Sequence, residues 1–160
     1  MIPYLNRISF MDCINLTGIS VADIIFSKEA SSIVMKNDSN GKNFLIHVSI
    51  ETGSLLLDLF QKRFSMRPNT FTLLSNCITS LGARIQAIII DDAFDGVFLA
   101  KIILRNKGTL SRLDARPSDA IALALVNNLP ILATATLVKK LSWIDSLPHS
   151  RTPNISFLCH

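Results

Sequence analysis

At 160 residues, 49% of them hydrophobic, the chain fits one domain with a filled core. Its formal charge of +4 and pI near 9.2 suit an acidic partner such as nucleic acid without requiring one. Three widely spaced cysteines, Cys13, Cys77 and Cys159, argue against a disulfide framework or a zinc site and for a reducing compartment. A charged segment leading into an apolar signal core is missing, as is any apolar run near the roughly 20 residues of a membrane span, so a cytoplasmic protein is expected.

In chain order, partly alternating apolar residues predict a first strand near Met11 to Ile19. Ser31 to Lys36 and Phe44 to Ile50 read as two strands of a hairpin, joined by the turn-forming run Asn37-Asp38-Ser39-Asn40-Gly41. In the second strand Phe44, Ile46, Val48 and Ile50 share one face, and Leu45, His47 and Ser49 the other. His47 is titratable and close to Ser49 and Glu51, yet a histidine on the less apolar face of a half-buried strand needs no function.

After Glu51, the spacing of Leu56, Leu59, Phe60 and Phe64 is one helical stripe, ended at Arg67-Pro68. Glu51 falls at or before the first turn, where it can offset the helix dipole. Thr70 is placed to cap a second helix with the stripe Leu73, Leu74, Cys77, Ile78 and Leu81, stopped by Gly82. This spacing makes Cys77 a core residue. Three strands follow, Arg84 to Ile90, Val97 to Arg105 and Thr109 to Asp114, as an antiparallel meander. Asp91, Asp92 and Asp95 are read as a solvated turn without the spacing of a calcium loop.

The meander feeds the segment that organises the chain, Leu113 to Leu125. Pro117 suits the first position of a helix, Asp119 lies in its first turn, and Ala120 to Leu125 contains no polar residue, as a covered helix requires. Asp114 and Arg116 share a face of the preceding strand. One reading is a junction in which Arg116 pairs with Asp114 while Asp119 caps the helix. The other is a ligand site at the mouth of a buried helix. Pro130 to Ala133 is then a short strand, and Thr134 to Trp143 a last helix. The sum is an α+β single domain with a mixed, largely antiparallel sheet and packed helices.

The run Asp-Ala-Arg-Pro-Ser-Asp-Ala-Ile-Ala-Leu-Ala from Asp114 to Ala124, followed by Pro130 and Ile131, resembles the signature of the bifunctional nuclease domain family. The resemblance extends from about Ser31 to about Leu141. Supporting features are Glu51, Arg67-Pro68 with Thr70, Leu81-Gly82, and Asp95-Gly96-Val97-Phe98 with Ala100. It implies a division into a lead-in with a strand at 1–30, the nuclease-like domain at 31–144 and a tail at 145–160.

The same resemblance implies a metal-assisted nuclease of low specificity acting on DNA, RNA or both, and a homodimer. By it, Glu51, Asp114, Arg116 and Asp119 are the catalytic candidates, and Arg67 and Ser118 the substrate-binding ones. Glu51 and Asp114 would hold Mg²⁺ or Mn²⁺ and its water, Arg67 and Arg116 the phosphate, with Asp119 organising the loop. The sequence departs from the pattern where His-Asp usually follows Arg-Pro-x-Thr: here it has Phe71-Thr72. Val126 replaces a usual basic residue and Thr52 a usual alanine. The alternative is therefore a catalytically impaired relative that binds nucleic acid or protein.

Overall fold

The computed structural model describes residues 16–63 and 65–145. Seven strands form one sheet: β1 (Leu16–Phe26), β2 (Ser31–Asn37), β3 (Asn43–Val48), β4 (Ala83–Phe94), β5 (Val97–Asn106), β6 (Thr109–Ala115) and β7 (Ile131–Thr134). The helices are α1 (Ile50–Phe60), α2 (Thr70–Ser80), α3 (Pro117–Asn127) and α4 (Ala135–Lys140). Strand order is β3-β2-β1-β7-β4-β5-β6, and every pairing is antiparallel except β4 with β7. The architecture is α+β with a mixed sheet, in agreement with the sequence.

The β2–β3 hairpin forms in the expected place, with Ile33 opposite Ile46 and Met35 opposite Phe44 on the buried face. Ile50, grouped above with the strand, opens α1 instead, because Ser49 turns the chain and accepts a hydrogen bond from the Thr52 N–H. The first strand continues past the end that its apolar alternation suggested, to Phe26. β1 runs from Leu16 and lies inside the sheet between β2 and β7, while residues 11–15 of the expected strand fall outside the described residues.

Two aspartates read as turn residues belong to a strand. β4 continues through Asp91 and Asp92 to Phe94, and only Asp95-Gly96 turns. Both have positive φ, 47° and 78°, as a two-residue hairpin matched to strand twist demands. Lys107-Gly108 repeats this geometry between β5 and β6.

The sheet curls strongly, helped by irregular pairings in β1 at Val21/Asp23 and in β4 at Ile85/Ala87 and Ile90/Asp92. Four strands separate β3 from β5, so in a flat sheet they would be about 24 Å apart. Instead the rings of Phe44 and Phe98 stack with centroids 5.9 Å apart, and Trp143 meets Phe44 edge-on at 5.8 Å. The two ends of the sheet therefore meet along a seam. α3 lies in the hollow so made, with Ala120, Ile121, Ala122, Leu123 and Ala124 all buried. Its alanines let it approach β4 and β5 while α1 and α2 pack beside it.

α2 is turned relative to its expected stripe. Its inward positions are Phe71, Ser75 and Ile78, and Leu73, Leu74, Cys77 and Leu81 are exposed. The cause is a buried polar link: Ser75 Oγ donates to Asn127 Oδ1 at 2.6 Å, and Asn127 Nδ2 donates to the Leu123 carbonyl at 2.9 Å. A buried hydroxyl with a good partner outcompetes a second set of leucines for the inner face. Asn69, not Thr70, caps this helix, accepting from both Thr72 N–H and Thr72 Oγ1.

Candidate functional site

A cleft of about 510 Å³ opens along the seam. One wall is the end of β3 and the start of α1, with His47, Ser49 and Thr52; the other is the β6–α3 junction, with Asp114, Arg116 and Ser118. Val97, Phe98 and Leu99 from the β4–β5 hairpin form its apolar floor. The site exists because the sheet ends meet: residues about 70 positions apart in the chain become facing walls only through the curl.

At the β6–α3 junction, Pro117 starts the helix and Arg116 is its cap residue, with no side-chain cap hydrogen bond. Arg116 does not pair with Asp114, as one sequence reading had it. Its Nε donates to Asp119 Oδ2 at 2.7 Å and its Nη2 to Asp119 Oδ1 at 3.0 Å. Asp119 is therefore occupied by the guanidinium instead of capping the helix. The hydrogen bond from Arg116, with the carboxylate's charge, raises the guanidinium pKa further and keeps it cationic. The fork holds Arg116, itself largely exposed, in one orientation at the cleft.

Asp114 points to the sheet face away from the helices. There it accepts from Lys101 Nζ at 2.8 Å, and Asp91 Oδ2 lies 3.8 Å from the same nitrogen. The bond to Asp114 raises the Lys101 pKa, so the ammonium is retained. Glu51 sits in the first turn of α1 and is not one of the residues lining the cleft. Its carboxyl is held below the usual range by a backbone N–H hydrogen bond and then by Ser49. Arg67 is exposed in the α1–α2 connection, also outside the cleft lining.

The structure thus gathers Asp114, Arg116 and Ser118, sets Asp119 behind Arg116, and leaves Glu51 and Arg67 off the cleft walls. It adds His47 and Ser49, which only their shared strand face had hinted at. The donor set does not fit a protein-built metal centre. Asp114 is bound to a lysine, Glu51 is absent from the cleft lining, and among the described residues no three histidine, cysteine, aspartate or glutamate side chains converge. Phe71 and Thr72 serve the fold: Phe71 packs on the core and Thr72 completes the α2 cap.

A curled mixed sheet around a buried Ala-rich helix, with an arginine held at that helix's N-terminus, defines an α+β domain. Residues 33–145 match the bifunctional nuclease domain, and the chain belongs to that family. A comparison with curated proteins gives no match. Among the described residues no helix is long and apolar enough to cross a membrane.

Proposed function

We propose that this domain is a cytoplasmic nuclease of low sequence specificity that binds the phosphodiester backbone of RNA or DNA in the seam cleft. The observation that carries this reading is the meeting of Arg116 and Ser118 at the start of α3 in one cleft. Pro117 has no N–H and those of Asp119 and Ala120 donate to the Arg116 carbonyl, so the Ser118 N–H and the guanidinium held by Asp119 are the donors offered to a phosphate oxygen. The floor of Val97, Phe98 and Leu99 offers contact area but few base-reading donors, which fits weak sequence preference. The binding-module alternative draws on Phe71 and Thr72, whose side chains are committed to the core and the cap.

Purified protein assayed on single- and double-stranded DNA and RNA, with Mg²⁺, Mn²⁺ or EDTA, separates these readings. Cleavage that is lost in Arg116→Ala supports the nuclease. Salt-sensitive binding without cleavage supports the module, and absence of both rejects the cleft as a nucleic-acid site.

We also propose that the protein pairs with a second copy through the outer face of α2. Leu73, Leu74 and Leu81 are 56%, 44% and 78% exposed there. No charged residue occurs in Thr70–Ser80, so two such helices can meet without like-charge repulsion.

A further inference from the structure

The segment that follows α4 crosses the seam. Lys140, the last residue of α4, donates to Asp92 Oδ1 near the end of β4 at 2.6 Å. Further along, Ile144 bonds to the first residue of β3: its N–H donates to the Asn43 carbonyl at 2.7 Å, and the Asn43 N–H donates to the Ile144 carbonyl at 3.0 Å. Trp143 lies edge-on against Phe44 beside this bridge, and Asp145 Oδ1 is 3.5 Å from Lys42 Nζ beyond it.

The edge of β3 that takes Ile144 is the one that faces the seam. The Lys42 carbonyl accepts from the Asn37 N–H of β2 at 2.8 Å, so Asn43, one residue on, directs its main-chain groups away from β2. Leu45 and His47 share that direction by the period of two, and His47 lines the cleft. Ile144 thus fills, at the start of β3, an edge position that stands open at its end. The cleft is the unfilled continuation of that position.

We propose that residues 141–145 are a latch that sets the width of the seam. Engaged, the segment ties β3 to α4 and, through Lys140, to β4 on the far side of the seam. Released, it leaves β3 joined to the rest of the sheet by its ladder to β2, with ring contacts alone to β5. The fastening is two main-chain bonds, one ring contact and an ion pair whose side chains are 47% and 84% exposed, the last contributing least. The β2–β3 ladder pairs every residue from Asn43 to Val48, so the latch gives way before the strands do. Its consequence for ligand entry rests on the phosphodiester reading above: a polymer longer than the cleft is admitted when the latch opens.

The full chain is tested by amide exchange and by acrylamide quenching of Trp143, its single tryptophan. In wild type the Asn43 amide should exchange through a local opening insensitive to low urea, ahead of Phe44 and Ile46 on the β2 ladder. Ile144→Pro removes one bridge bond and should speed Asn43 exchange by about tenfold, with Phe44 and Ile46 unchanged and Trp143 quenched more strongly. Trp143→Ala, read by exchange alone, should act in the same direction. A Lys42→Cys and Asp145→Cys disulfide, in a chain carrying Cys13→Ser, Cys77→Ser and Cys159→Ser, should weaken binding of a single strand of about 20 nucleotides by about tenfold or more, and reductant should restore it. Asn43 exchange as slow as that of Phe44, unchanged exchange and quenching in Ile144→Pro, loss of the whole fold in both variants, or equal binding by the oxidised and reduced chains would each overturn the latch. Equal binding in both states leaves the phosphodiester reading standing. Absence of binding in either state removes that reading, and exchange and quenching then decide the latch by themselves.

Discussion

Gly53, the fourth residue of α1, offers a quantitative test of how the cleft's first wall is positioned. A Cβ there would fall against Ser31 Cβ, 2.5 Å from Ser31 Oγ and 3.3 Å from Phe26 Cε1. Ser31 is fully buried and its strand is paired on both sides, to Phe26 in β1 and Val48 in β3, so it cannot step aside. Helix propensity alone favours Gly53→Ala by about 1 kcal/mol. Overpacking opposes it by about 1–3 kcal/mol, and the upper end or more applies because the obstacle is an atom next to the backbone. The expected net effect is destabilisation by about 2 kcal/mol, a fall in Tm of about 4–8 °C for a chain of this length. Urea and thermal melts measure it. Ser31→Gly in the same chain removes the obstructing atoms, and Ser31 Oγ has no hydrogen-bond partner to lose. The double variant should recover at least about 1 kcal/mol over the sum of the singles. A Gly53→Ala protein as stable as wild type, or more so, refutes the claim that close approach fixes α1.

Leu123, 1% exposed at the centre of the hollow, should not tolerate Leu123→Asp, because an unpaired core carboxylate is costly; a soluble variant with a cooperative melt would reject the buried-helix assignment. Arg116→Ala should weaken nucleic-acid binding and flatten its salt dependence by about one phosphate contact, measured by anisotropy at several salt concentrations. The Asp92 pKa is lowered by its hydrogen bond from Lys140, then by that from the Ala93 N–H. Its stabilising share is therefore present above the unfolded aspartate value and lost as pH falls through the lower folded one. Asp92→Asn should accordingly reduce the slope of stability against pH in that acid window and nowhere else, as read from denaturant melts. Leu74→Lys should leave the monomer fold intact and, at micromolar concentration, convert a dimeric mass in light scattering to a monomeric one; a monomeric wild type rejects the α2 pairing.

Local chemistry was legible where the decisive partners are close in sequence. Pro117 and Asp119 mark the start of α3, alternation marks the β2–β3 hairpin, and glycines mark the turns at Asp95-Gly96 and Lys107-Gly108. The half of the site on one continuous segment, Asp114 to Ser118, could be read for the same reason. What depended on distant partners could not. α2 has two candidate apolar faces, and the choice is made by Asn127, 52 residues from Ser75. Asp91 and Asp92 look like turn residues, yet Asp92 is held by Lys140 and Asp91 faces Lys101, both on other elements. His47 shares a cleft with Arg116 only because the seam brings β3 to the β6–α3 junction, and no periodicity within β3 contains that information.

The seam gives the molecule uneven stiffness. Separating any two neighbouring strands breaks a row of backbone hydrogen bonds, whereas parting β3 from β5 gives up ring contacts such as Phe44 on Phe98. An aromatic pair contributes about 0.5–1.5 kcal/mol beyond the area it buries. The width of the cleft is therefore the soft coordinate of the described domain. On the proposed nuclease reading, a chain of nucleotides would enter sideways, by parting ring contacts between β3 and β5 and not the hydrogen-bonded ladders of the sheet.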